Sequence, residues 1–193
     1  MWDIFVVFPA IPLTTFCHCV CGSIALTSGF VQLAFLERIP PSVHRPPGWV
    51  YALSYTIVAC TGAVLGAHDV GGQLAKYNFG GMAFFAIVPT WMAVRSAVVG
   101  DFRAHRAWMI RSYNHCFSVA VLLRFGFLWL VPLMAERLPE DVEAPYMVLV
   151  FLSWSLPILW SDIYLTLTPQ VTWPGGSAPA PAPTKKQKRT KAA

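Results

Sequence analysis

Histidine and arginine are the residues of this chain whose types and spacing could do chemistry. The five histidines are His18, His44, His68, His105 and His115, and two of them directly precede an arginine, as His44-Arg45 and His105-Arg106. The stretch Asp101–Arg124, DFRAHRAWMIRSYNHCFSVAVLLR, concentrates the pattern: Arg103, His105, Arg106 and Arg111 crowd its start, Cys116 to Leu123 are uncharged, and Arg124 follows. An arginine at the centre of a membrane helix carries an insertion penalty of about 2.5–3.5 kcal/mol. Snorkelling to the interface relieves part of that penalty, and a buried anion would relieve it too.

Paired imidazoles on facing helices are the axial ligands of haem b. That cofactor also needs small residues beside the macrocycle and cations for its propionates. The spans derived below put His44 and His105 at one end of a bundle and His18 and His68 at the other, so two haem levels are expected. Arg45, Arg106 and Arg111 would serve the first level. Arg124, about 28 Å along its helix from His105 at 1.5 Å per residue, would serve the second. His115 points nearly opposite Arg124 on a helical projection and reads as a helix-contact residue. With no CxxCH in the chain, covalent haem attachment is excluded. No ligand set for a free metal ion is expected.

A different chemistry uses the same cations without a cofactor. Arg45, Arg106, Arg111 and Arg124, with Gln32, Tyr113 and Trp108, would grip an anionic amphiphile at head-group level. A third reading makes the chain a structural subunit in which these residues serve packing and topology. Cys17, Cys19 and Cys21 form CxCxC, but alternate residues diverge on a helix, and small buried cysteines are the ordinary case. Asp162 is a carboxylate inside an apolar run, a candidate proton relay. There is no phosphate loop, G-x-S-x-G or HExxH. No enzyme class is assigned.

The elements that must position these residues follow from composition. The chain is 56% hydrophobic and 12% charged, against about 25% charged in a soluble domain. Five segments reach the roughly 20 residues needed to span a hydrocarbon layer: Thr14–Leu36, Pro47–Gly66, Phe79–Val99, Ala107–Met134 and Pro145–Leu167. The fold expected is therefore all-α, a multi-pass bundle of about five transmembrane helices. Residues 1–13 form a short apolar segment without the basic start of a cleaved signal. The bundle occupies 14–168. Residues 169–193 are a Pro/Ala-rich then Lys/Arg-rich tail expected to be disordered. All five cysteines lie in apolar runs, so no disulfide framework is expected.

The net charge is +5, and its distribution suits membrane topology better than nucleic-acid binding. Eleven basic residues (Arg38, Arg45, Arg95, Arg103, Arg106, Arg111 and five in the tail) fall on one side of a five-span arrangement, and two, Lys76 and Arg137, fall on the other. The positive-inside rule makes the first side, with the C-terminus, cytosolic. The tail's lysines and arginines would also meet anionic lipid head groups at about 1 kcal/mol each.

Helical periodicity shows which residues share a face. His18, Gly22, Ala25, Gly29, Gln32 and Leu36 make one stripe. Gly48, Ala52, Tyr55, Ala59, Gly62 and Gly66 make another. Small stripes let a second helix, or a flat ligand, approach closely. In the fourth span Arg106, Tyr113, Phe117 and Arg124 share a face.

These residues carry a resemblance. His18-x3-Gly22, Gln32, Arg38, His44-Arg45-x2-Gly48-x2-Tyr51, His105-Arg106-x-Trp108-Met109-x-Arg111-Ser112-Tyr113 and Arg124, across about residues 15–130, are similar to the predicted membrane proteins grouped as domain of unknown function 2306. The resemblance implies a multi-pass helical fold and a candidate site, without a reaction. Members of that family often have an additional N-terminal helix, and usually carry a small or apolar residue where His115 stands.

Overall fold

The computed structural model describes residues 11–34, 40–69, 72–130, 132–133 and 143–168. Leu36, Arg38, Met134, the segment holding Glu136, Arg137, Glu140 and Asp141, residues 1–10 and the tail from 169 lie outside the described residues. The structure is all-α, with no strand among the described residues. Helices α1 (Pro12–Ala34), α2 (Pro41–Ala67) and α3 (Gly72–Val98) come first. Helix α4 (Phe102–Ser118) runs on into π-helical turns at Val119–Leu123 and Gly126–Leu130, and α5 (Glu143–Leu167) follows.

Four stretches are long and apolar enough to cross a membrane: Pro12–Ala34, Ser42–Ala67, Gly72–Val98 and Pro145–Leu167. The expected span Ala107–Met134 differs from them. Its α-helix α4 stops at Ser118 and is polar, and beyond it Val119–Leu123 and Gly126–Leu130 are wound as wider π turns. Helix α2 also starts six residues before the expected Pro47, because Pro40 and Pro41 begin the helix and the ring of Pro46 and of Pro47 is accommodated within it. Pro41 sits in the first turn, where its missing N–H has no partner to lose, whereas Pro46 and Pro47 lie inside the helix. This places His44 and Arg45 on the helix itself. Between α3 and α4, Gly100 takes φ +81°, and Asp101 caps α4 by accepting from the Ala104 N–H at 2.9 Å.

Sequential helices pack as neighbours, with α3 also against α5 and α1 also against α4. The α1/α2 pairing is antiparallel and uses both small-residue stripes. Gln32 lies against Gly48, Gly29 against Tyr51, Gly22 against Val58 and His18 against Gly62. The stripes thus serve helix packing. The interior is rich in small and polar residues: Ala25, Ala52, Ala75, Ala93, Thr90, Ser112, Ser153 and Ser161 are buried, together with the larger Tyr51, Tyr55 and His115, whereas Phe30, Leu53, Phe84, Trp129, Leu159 and Trp160 are exposed. Such an inside-out distribution suits hydrocarbon surroundings, where association rests on close packing and interhelical hydrogen bonds.

Two polar contacts tie α5 to both ends of the bundle. Tyr146 donates to Asp69 Oδ2 at 3.0 Å, and Arg111 Nε donates to Asp162 Oδ1 at 2.7 Å. Between them Asn114 Nδ2 donates to the Pro157 carbonyl at 2.9 Å and to Ser161 Oγ at 2.8 Å. The second tie lies toward the end of the bundle where the α2 start, the α3 end, the α4 start and the α5 end fall, with Arg45, Arg95, Arg103, Arg106 and Arg111.

Candidate functional site

A cavity of about 450 Å³ opens at the arginine-rich pole. The last turns of α1 and α3 and the first turns of α2 and α4 enclose it. Its walls are mostly apolar on the α3 and α4 sides (Val94, Val98, Phe102, Met109), with Trp49 on α2, while Gly48 and Ala52 keep the α2 side low. Six polar side chains line it from four helices: Gln32, His44, Arg45, Tyr51, Thr90 and His105.

The two imidazoles face each other with ring centroids 6.3 Å apart and planes at 86°. The tautomer of His105 follows from its partner. Its Nδ1 lies 2.8 Å from the Ala93 carbonyl oxygen, which can only accept, so Nδ1 carries the proton and the Nε2 lone pair is left available. Neither ring nitrogen of His44 has a hydrogen-bond partner among the described residues.

Gln32 is 3% exposed, and its Nε2 has no hydrogen-bond partner among the described residues. A buried amide normally satisfies its donors. This one stops short of Gly48, where an added Cβ would stand 3.4 Å from Nε2. Arg45 lies one helical turn before Gly48, on the same face. It is exposed and has no hydrogen-bond or ion-pair partner among the described residues. No acidic residue lines the cavity.

The remaining candidates lie elsewhere. Arg106 stands next to His105 on α4 but is not among the lining residues. Arg111, expected to cap the site, turns to Asp162 and lies 4.9 Å over the Trp108 ring. Tyr113 packs into the notch at Gly29 and donates to the Leu26 carbonyl at 3.2 Å. At the opposite pole His18 and His68 do not meet. Thr61 donates its hydroxyl to the Ile57 carbonyl at 2.7 Å, so it accepts from His18 Nδ1 at 3.1 Å. His68 folds back to the Val64 carbonyl at 2.9 Å on the exposed end of α2. Arg124 is exposed and donates to the Ala120 carbonyl of its own helix at 3.3 Å.

Sequence reasoning missed a polar layer under the cavity. Thr90 donates to the Ala86 carbonyl at 2.6 Å, so it must accept from Ser112 at 2.6 Å, and Ser112 in turn must accept from Tyr51 at 2.7 Å. The protons thus run one way, from α2 through α4 to α3. One turn deeper Tyr55 meets His115, which is 1% exposed with Nε2 unpartnered. The available signal was spacing: Tyr51 and Tyr55 stand four apart and Ser112 and His115 three apart, so each pair shares one face.

A family model described as "Predicted membrane protein (DUF2306)" matches residues 15–165, which extends through α5 beyond the motif-bearing region. No curated protein and no solved structure matches the chain.

Proposed function

The chain belongs to the DUF2306 family of predicted membrane proteins, and from that premise we propose that it is an integral membrane protein binding one haem b between α2 and α4 for electron transfer. The observation that carries this reading is the facing of His44 and His105 across the cavity. His44 and His105 would hold the haem iron; metal–imidazole bonds of about 2.0–2.1 Å would then separate the ring centres by roughly 6 Å, and the two centroids are 6.3 Å apart. A ligating histidine usually donates its other N–H to a carbonyl or carboxylate, as His105 does to Ala93. The small residues Gly48 and Ala52 leave room beside the ring, and Val94, Val98, Phe102 and Met109 offer it apolar walls.

When bound, haem b supplies a one-electron couple. The protein's part is to hold the two Nε2 or Nδ1 lone pairs in place, keep the His105 tautomer and exclude water with the α3 and α4 walls. A single level replaces the two levels expected from sequence, because His68 is turned to its own helix end and His18 to Thr61.

A second reading takes an anionic amphiphile without a cofactor. The unpartnered Gln32 amide and the unpaired Arg45 favour it. The absorption spectrum of detergent-purified protein from haem-supplemented cells separates the two. The haem reading expects a Soret band with sharp α-bands on dithionite reduction, lost in His44→Ala and in His105→Ala. A colourless preparation sinks it and leaves the second reading.

A further inference from the structure

We infer that Gln32 and Arg45 form a carboxylate clamp, so that the ligand of the cavity carries a carboxylate at its α1–α2 edge. The inference shares its cavity with the haem reading but does not depend on ligation by His44 and His105. The carboxylate could belong to a haem propionate or to a long-chain fatty acid.

Three observations converge on it. Gln32 is almost fully buried yet its amide nitrogen has no partner, and it borders the cavity. Helix α1 offers no other polar side chain there, so the amide donors have only the cavity's occupant to meet. Arg45, on the cavity's α2 side, keeps its guanidinium unpaired among the described residues, and the lining contains no carboxylate of its own. The donor set is one neutral N–H group, held rigidly by burial, and one exposed cation at the mouth. A carboxylate accepts from both, since it has two oxygens and no proton to donate. A hydroxyl-bearing ligand could accept from both but would lack the negative charge that the arginine pairs with. The opposite walls are mostly apolar, through Val94, Val98, Phe102 and Met109, so the rest of the ligand is mostly apolar, and its charged end is the one that points to α1 and α2.

The two small positions explain why the clamp has space. Gly48 lies against Gln32 in the packed pair, and a Cβ there would already touch the Gln32 amide at 3.4 Å, leaving no room for a longer side chain beside it. Helical spacing then lets Arg45 and Gln32 approach one ligand group from adjacent helices.

The test titrates the full-length protein in detergent with protohaem, protohaem dimethyl ester, oleic acid and methyl oleate, following the Soret band for the haems and calorimetry for the lipids. Wild type is expected to prefer an acid over its ester by roughly ten- to hundredfold, the affinity equivalent of one charge-assisted hydrogen bond. Gln32→Glu, nearly isosteric but anionic, and Arg45→Gln should each erase that preference. Gln32→Met keeps length without the amide and takes the place of Gln32→Glu if the latter does not fold. Preference among the haems, lost in the variants, supports the clamp with a propionate. Preference among the lipids with no haem bound supports the clamp and ends the haem reading. Equal affinity for acid and ester in wild type, or an unchanged preference in the variants, overturns the clamp. If the haems still bind in that case, the haem reading stands by itself. Binding of none of the four probes overturns both.

Discussion

The Tyr55 hydroxyl and His115 Nδ1 stand 2.5 Å apart at the centre of the bundle, on α2 and α4. Tyr55 stacks on Tyr51 with ring centroids 5.6 Å apart, so the dyad is wedged beneath the layer that floors the cavity. His115 has no other hydrogen bond among the described residues. Removing Tyr55's oxygen therefore leaves both imidazole nitrogens buried and unpaired.

Tyr55→Phe should accordingly lower stability in detergent by about 1–3 kcal/mol, the desolvation penalty of an orphaned buried group. His115→Leu, which removes the orphan along with the bond, should cost less. The double variant Tyr55→Phe/His115→Leu should resemble His115→Leu alone. Thermal unfolding of the four proteins checks this, and strict additivity of the two single changes would show that the dyad is not a unit.

Glycines at two positions should respond oppositely to alanine. At Gly29 an added Cβ meets the Tyr113 ring, so Gly29→Ala must displace Tyr113 and weaken its bond to the Leu26 carbonyl, at roughly 1–3 kcal/mol of overpacking. At Gly80 nothing lies within 4 Å, and Gly80→Ala should stabilise α3 by about 0.5–1 kcal/mol through its backbone. Equal melting shifts for the two variants would contradict the packing of α4 into the α1 notch.

The Arg111–Asp162 pair is partly exposed, with side chains 26% and 52% accessible. Exposed pairs contribute about 0.2–1 kcal/mol, so a double-mutant cycle with Arg111→Leu and Asp162→Asn should return a coupling in that range. Ligand occupancy of the cavity should not change in Arg111→Leu, because Arg111 points to α5. A loss of ligand with unchanged stability would put Arg111 back into the site.

Arg124 should be dispensable for the cavity. It is exposed and bonds to a carbonyl of its own helix, so Arg124→Leu should insert at least as well and retain the cavity ligand at full occupancy. Loss of ligand in that variant, at unchanged membrane yield, would mean that the opposite pole also holds a bound group.

We expect the cavity pole to face the cytosol, on the strength of the basic residues gathered there. In a chain whose native cysteines are replaced by serine, Ser42→Cys should react with an impermeant maleimide only in inverted vesicles, and Lys76→Cys only in right-side-out ones. The reverse pattern would invert the topology.

The sequence by itself determined the class and most of the elements. Scarce charge and long apolar runs require helices that satisfy their own backbone in lipid, and the stripes through Gly29 and Ala52 showed which faces pack. Spacing also singled out His44-Arg45 and His105-Arg106 as a candidate site, and Gln32 as a residue on the α1 stripe. It was silent on partners. Periodicity assigns a residue to a face of its own helix, but which face it meets depends on the register and tilt of the neighbouring helix, which are set by many contacts at once. Tertiary structure therefore decided that His44 meets His105 while His18 and His68 stay apart. It also decided that Arg111 turns to Asp162, and that Gln32 ends against a glycine with its amide unspent. The proline pair Pro46-Pro47 read locally as a helix boundary, yet packing of α2 against α1 and α3 carries the helix through it. That early start is what lifts His44 and Arg45 out of a loop and onto the cavity wall.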